Sequence, residues 1–268
     1  MKPTNLTLLL GTAFLFAAIL PTASATAPKE PKGKVLIVLT NHDRLGNTGK
    51  QTGYYLSEAA HPYKVFVDAG YVAEFASPKG GLAPIDPSSL PGRGGSEDEA
   101  NKAFLSNTDV SKQTAATKKL SDIVPAEYSA VFFAGGHGTM WDFPGDAGVQ
   151  MVAAGVYQGG GVVAAVCHGP AALVDVKLAD GSFLVAGKTV SSFTDEEEAA
   201  VSLTNVVPFL LESKLRERGA TFVESPVFQP RVAVSERLVT GQNPASATGV
   251  AEAVVKLLED RPTTKPSK

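Results

Sequence analysis

Short runs rich in valine and phenylalanine recur along this chain, separated by segments whose apolar residues follow helical spacing. Lys34-Val35-Leu36-Ile37-Val38-Leu39-Thr40 is apolar at consecutive positions, the pattern of a strand buried on both faces as in a parallel sheet. Tyr71 to Ala76 alternates as a second strand. Between them Pro62, as first helical residue, and Gly70, just past the end, frame a two-turn helix. Tyr128 to Ala134, Gly160 to Val166 and Lys188 to Phe193 read as further strands, and Arg231 to Val234 with Arg237 to Thr240 as a hairpin around Ser235-Glu236. Helices are expected over Asp146 to Gln158, from Pro208 to Gly219, and within Ala245 to Glu259. The second carries Phe209, Leu211 and Leu215 inward with Glu212 and Arg216 paired at i,i+4; the last buries Val250, Val254, Leu257 and Leu258. This alternation predicts an α/β fold with a mostly parallel sheet flanked by helices.

Residues 77–100 are rich in Pro, Gly and Ser, and 101–122 are polar with a loose helical pattern through Phe104, Leu105, Val110 and Leu120. An excursion over a site and a solvated surface insertion both fit, and the pattern does not choose between them.

The ends of the chain modify this picture. Met1-Lys2 precedes an apolar segment, Leu6 to Leu20, and Ala23-Ser24-Ala25 supplies small residues for cleavage, so residues 1–25 read as a secretory signal peptide. Residues 26–33 form a linker, 34–259 the domain and 260–268 a polar tail. The mature protein is expected to be soluble, without membrane contact, in a periplasmic or secreted location. A formal charge of −3 and the absence of any Lys/Arg-rich run argue against nucleic acid as a partner.

The chain has one cysteine, so no internal disulfide forms, and that cysteine ends an apolar run: Val162-Val163-Ala164-Ala165-Val166-Cys167-His168-Gly169-Pro170. Strand, sharp turn and helix start in this order make a nucleophile elbow, which lifts one side chain above the carboxyl edge of a sheet. Cys167 is the candidate nucleophile; a buried structural thiol is the alternative. A thiol needs a base, and the base an orienting group. His168 is adjacent, but neighbours at an elbow usually point apart, and a helix-capping histidine is the competing reading. Glu58, Asp195, Glu196, Glu197 and Glu198 lie near the ends of other strands.

Gly135-Gly136-His137-Gly138-Thr139 follows a strand without the lysine or the glycine spacing of a nucleotide loop. Its exposed amides suit an anion or oxyanion pocket instead. The four histidines, His42, His61, His137 and His168, lack metal-ligand spacing, so no metal site is expected from them.

Several stretches together resemble the PfpI superfamily, with its class I glutamine-amidotransferase-like fold. They are Lys50-Gln51-Thr52-Gly53, Glu58-Ala59-Ala60-His61-Pro62, Ala134 to Thr139, Ala164 to Pro170, Phe193-Thr194-Asp195 and Thr240 to Ser246. The similar branch is that of heat-shock chaperones that double as glutathione-independent glyoxalases. The resemblance implies a flavodoxin-like sandwich and a triad of Cys167, His168 and Glu198, with Glu196 and Glu197 able to replace Glu198 if the loop shifts register. It implies Glu58 beside the cysteine; desolvation in a pocket closed by Trp141 and Phe143 would raise the pKa of that carboxyl and suit it to act as a proton shuttle. Gly135, Gly136 and His137 would form the oxyanion or substrate-binding turn. The implied reaction takes an α-oxoaldehyde such as methylglyoxal to D-lactate through a hemithioacetal, without metal or redox cofactor, in a homodimer. A holdase chaperone or protein deglycase is the first alternative, and a cysteine peptidase or amidotransferase-like hydrolase the second.

Overall fold

The computed structural model describes Met1 and residues 30–260; residues 2–29, which hold the rest of the expected leader and half of the expected linker, and residues 261–268 of the polar tail lie outside the described residues. The compact unit that carries the site begins at Pro31. Its strands are β1 (Lys34–Val38), β2 (Val72–Ser77), β3 (Lys118–Lys119), β4 (Ala130–Phe133), β5 (Val162–Val166), β6 (Thr189–Val190), β7 (Thr221–Phe222), β8 (Val232–Ser235) and β9 (Leu238–Gly241). Its helices are α1 (Leu56–Asp68), α2 (Glu99–Ser106), α3 (Thr108–Ala115), α4 (Thr139–Asp142), α5 (Ala147–Gln158), α6 (Asp195–Ala200), α7 (Leu211–Glu217) and α8 (Ala247–Glu259).

Seven strands form one sheet in the order β3-β2-β1-β4-β5-β9-β8. All neighbours are parallel except the β8–β9 hairpin. Alternate residues of the central strands enter different cores. Val35, Ile37, Phe132 and Val162 join α1 and α8, while Leu36, Val38, Phe133 and Val163 join α5 and α7. Burial on both faces is why these strands read as unbroken apolar runs. The chain moves outward from β1 to β2 on one side and resumes at β4 on the other. This reversal opens a crevice at the carboxyl ends of β1, β4 and β5, where open α/β sheets take ligands.

The structure departs from the sequence expectations in several elements, and in the last helix Leu257 and Leu258 are only partly buried. The first helix begins at Leu56, and Pro62 lies inside it. An interior proline costs about 3 kcal/mol. Full burial of Leu56 and Phe66 at roughly 1.5–3 kcal/mol each, with Ala59 and Ala60 also in the core, outweighs it. The extra turn puts Glu58 inside the molecule. Residues 188–193 supply only the short β6, which pairs with β7 in a separate two-stranded sheet because the main sheet already places β9 beside β5. The helix expected from Pro208 starts at Leu211, its partly exposed Phe209 lying before the first turn; the Glu212–Arg216 pair is present at 2.8 Å.

The 77–125 segment splits between the two readings left open for it. Asp86, Pro87 and Ser88 line the central crevice, whereas α2 and α3 pack over α1 and β2 and tie the edge of the sheet.

Candidate active site

Strand β5 ends at Val166, and the next residue turns sharply: Cys167 has φ +59°, in the left-handed region that a non-glycine residue occupies at a cost. Two backbone bonds over-determine the turn, from Cys167 N–H to the Gly241 carbonyl (2.9 Å) and from Phe193 N–H to the Cys167 carbonyl (2.9 Å). Gly169 lets the chain press against β4, since a Cβ there would sit 2.2 Å from the Phe133 carbonyl oxygen. From Gly169 to Leu173 the backbone forms a 3₁₀ turn in place of the full helix expected.

The elbow resolves the orientation of His168. With Cys167 in the left-handed region, the imidazole folds back so that Nδ1 lies 3.4 Å from Cys167 Sγ. Its Nε2 is 2.8 Å from Glu198 Oε2. Glu198 sits in α6, whose first turn is fixed by a capping box between Thr194 and Glu197. That box sets the register of the acidic run. Glu198 faces the imidazole, Glu197 is buried elsewhere, Glu196 is exposed, and Asp195 accepts from Ser213.

Glu58 approaches the same thiol from α1. It is fully buried and accepts a backbone hydrogen bond, from Gly135 N–H to Oε2 at 2.8 Å. Its Oε1 has no partner among the described residues, and the carboxyl lies against the Cys167 thiol. Gly135 therefore spends its amide on Glu58 and does not offer it to a substrate oxygen. Glycine is required there for space: a Cβ would meet the Val166 carbonyl at 2.5 Å and Glu58 Oε2 at 2.6 Å. Gly136, at φ +106°, lines the crevice where a Cβ would strike the Gly53 carbonyl at 2.3 Å.

His137 has a partner that the sequence did not suggest. Its Nε2 is 3.0 Å from Glu198 Oε1, so one carboxylate holds two imidazoles whose ring centres are 4.1 Å apart. No spacing rule links His137, His168 and Glu198; only the sheet edge joins them. Their ligand atoms converge within 4.8 Å, a donor set suited to a divalent ion, although both imidazoles already direct Nε2 to the carboxylate.

The electrostatics divide the carboxylates. Burial drives Glu58 up to about 8, against the hydrogen bonds that oppose it, so the carboxyl is mostly protonated at neutral pH. Burial also works against ionisation of Glu198, but the two adjacent imidazoles outweigh it and hold that group well below the usual carboxylate range. Burial, then the neighbouring His137, lowers His168, which is a neutral base at rest. The Cys167 thiol is pushed up by burial and further by any charge on Glu58. Tyr55, pushed up to about 12 by burial and then by Glu58 and Cys167, stays protonated beside them.

The crevice above Cys167 is a cavity of about 640 Å³. Tyr55, Phe193 and Phe228 form much of its wall. Trp141 and Phe143, expected to close it, do neither: Trp141 stacks on His42 at 5.1 Å and Phe143 is buried against Phe133 in the other core.

This fold and these residues coincide with a family model, described as the DJ-1/PfpI family, that matches residues 51–257. The chain belongs to the DJ-1/PfpI family. Among curated members, it is 36% identical over 237 residues to Glyoxalase 3 of Candida albicans, spanning 84% of this chain and 98% of that protein. It is 33% identical over 254 residues to the glutathione-independent glyoxalase HSP31 of Saccharomyces cerevisiae, spanning 87% and 100%. The crystal structure of glyoxalase III from Candida albicans superposes with TM-score 0.77 at 34% identity, over 84% of this chain and 97% of that one. A second solved structure, Rapid Encystment Protein 24 kDa of Francisella tularensis, gives TM-score 0.80 at 40% identity over 84% of this chain and 99% of that one.

Proposed function

We propose that this protein is a glutathione-independent glyoxalase that converts α-oxoaldehydes to 2-hydroxy acids, methylglyoxal to D-lactate, through covalent attachment to Cys167. The observation that carries the reading is the pairing of one thiol with two carboxyl groups in opposite states: Glu198, ionised behind His168, and Glu58, protonated beside the sulfur. The relatives named as glyoxalases support it over nearly their whole length.

The neutral His168 takes the thiol proton at Nδ1, and Glu198 stabilises the imidazolium that results. The thiolate bonds to the aldehyde carbon, the carbonyl pair moves to oxygen, and the imidazolium returns the proton there, giving a hemithioacetal. A protonated carboxyl then suits the isomerisation. Glu58 gives a proton to the ketone oxygen and takes the hydrogen on the sulfur-bearing carbon, which yields an enediol. It next gives a proton to the second carbon and takes the one on the first hydroxyl, leaving a thioester. One carbon is oxidised and its neighbour reduced, so no external redox partner enters. Water hydrolyses the thioester, and sulfur leaves with its proton restored.

D-lactate production from methylglyoxal without glutathione tests the assignment. The wild type is expected to form it and Cys167→Ala is not; equal rates in the two would overturn the reading. Export after cleavage behind Ala25 and assembly as a homodimer complete the proposal. An intact mass that retains residues 1–25, or a monomeric sedimentation profile, would refute the respective part.

A further inference from the structure

Methylglyoxal leaves most of this cavity unfilled. Its few heavy atoms occupy on the order of 100 Å³, scaled from the ~30 Å³ that liquid water gives each molecule, against about 640 Å³ available. Apolar groups make up most of the cavity's lining, alongside Lys50, Gln51, Asp86 and Ser88. His168, Phe193 and Phe228 form a continuous row of rings, with centres 4.4 Å apart for the first pair and 6.4 Å for the second. It runs from the buried imidazole to the solvent edge, where Phe228 is 49% and Val201 39% exposed. Exposed large apolar side chains rimming a cleft are characteristic of ligand contact.

Phe228 is held there against its own preference. Its φ is +60°, a conformation that bulky residues adopt rarely and that persists only where surrounding structure enforces it. The enforcing group is Glu197, fully buried and not used by the chemistry proposed above. Its Oε1 accepts from Phe228 N–H at 2.8 Å, from Gln242 Nε2 at 3.0 Å and from Asn243 Nδ2 at 2.8 Å, while Oε2 accepts from Thr194 N–H at 3.0 Å. The two amide side chains extend the clamp to both ends of the same loop. Gln242 exchanges bonds with the Ser225 backbone, and Asn243 Nδ2 donates to the Gln229 carbonyl. The Gln242-Asn243-Pro244 stretch thus acts on the cavity rim, since the clamped loop presents one strained aromatic side chain to it. Glu197 and Glu198, adjacent in sequence, serve the rim and the reacting centre respectively.

We infer that the preferred substrate is an α-oxoaldehyde bearing an aryl group on its ketone carbon, which lies along the row of rings while the aldehyde carbon meets Cys167. This rests on the glyoxalase reading and specifies its substrate class. The reaction is balanced as before: an arylglyoxal plus water gives a 2-aryl-2-hydroxy acid, with the hydrogen on the aldehyde carbon transferred as a proton to its neighbour.

Phenylglyoxal is the probe, with mandelate as the measured product so that side reactions with protein amines and guanidines do not count. Apolar complementarity of one added group is commonly worth 10- to 200-fold in specificity, roughly, so wild-type kcat/KM for phenylglyoxal should exceed that for methylglyoxal at least about tenfold. In Phe228→Ala the ratio should fall by about tenfold, the size expected for loss of an aromatic contact and its buried area. Glu197→Gln, which keeps the shape but weakens the clamp, should lower the same ratio by a smaller factor while the Phe228 side chain remains. A ratio of one or below in the wild type, or equal losses on both substrates in Phe228→Ala, overturns the inference and leaves the glyoxalase reading standing. Failure of the wild type to turn over either aldehyde overturns both.

Discussion

Two buried carboxyl groups serve one thiol, and they differ in everything but residue type. Glu58, from α1, has one backbone donor, an unpartnered oxygen and no cation nearby, and burial leaves it protonated near neutral pH. Glu198, from α6, has an imidazole against each oxygen and stays ionised. In the proposed mechanism the first exchanges protons with the substrate, and the second holds the base in place and balances its charge. Environment alone separates acid from counter-ion, as it does wherever two carboxyls share a site.

The largest effect should come from removing what both carboxyls serve. Cys167→Ala is expected to abolish turnover, a loss of about 10⁴-fold or more, with the circular dichroism spectrum unchanged; retained turnover would remove the thiol from the chemistry. Glu198→Gln replaces the ionised partner and lets the imidazole take the wrong tautomer. It should cost about 10⁴-fold in kcat, and it should slow alkylation of Cys167 by iodoacetamide as well. Glu58→Gln should cost roughly two to four orders of magnitude in turnover while alkylation persists, since Gln retains size and donor ability but cannot exchange protons. If the two variants respond alike in both assays, the division of labour is wrong.

A smaller effect is expected from pH. Because the Glu58 carboxyl is raised to about 8, its active protonated form is fully present well below that value and is lost as pH rises through it. Above pH 8, kcat/KM should decline by about tenfold per unit; a limb that keeps rising to pH 10 would show that the ionised form is the active one. The smallest effect belongs to His137→Asn, which removes one of the two imidazoles on Glu198 and leaves the His168 bond in place. A severalfold loss measured in kcat, not the losses of two orders of magnitude or more given above for the other variants, is the expected outcome.

Much of this arrangement was legible in the chain. The apolar runs placed β1, β4 and β5, and the run ending at Cys167-His168-Gly169-Pro170 located the elbow, because strand burial and turn chemistry are local properties of the sequence. The first turns of α1 were not legible, since Pro62 is a strong local signal and the burial of Leu56 and Phe66 that overrides it is tertiary. The acidic run offered three adjacent candidates, and the capping box that chooses among them appears only once Thr194 is seen to start a helix. The bond from His137 to Glu198 and the clamp from Glu197 to Phe228 each join residues far apart in sequence across loop ends, where no periodicity applies. Trp141 and Phe143 misled because an aromatic residue after a glycine turn reads equally as pocket wall or core.

The protonation of Glu58 is the point on which the account turns, and infrared difference spectroscopy reads it directly. A carbonyl stretch of a protonated carboxyl, present in the wild type at pH 7, absent from Glu58→Gln and disappearing as pH passes about 8, is the predicted result. A spectrum at pH 7 in which Glu58 contributes only carboxylate bands would contradict it.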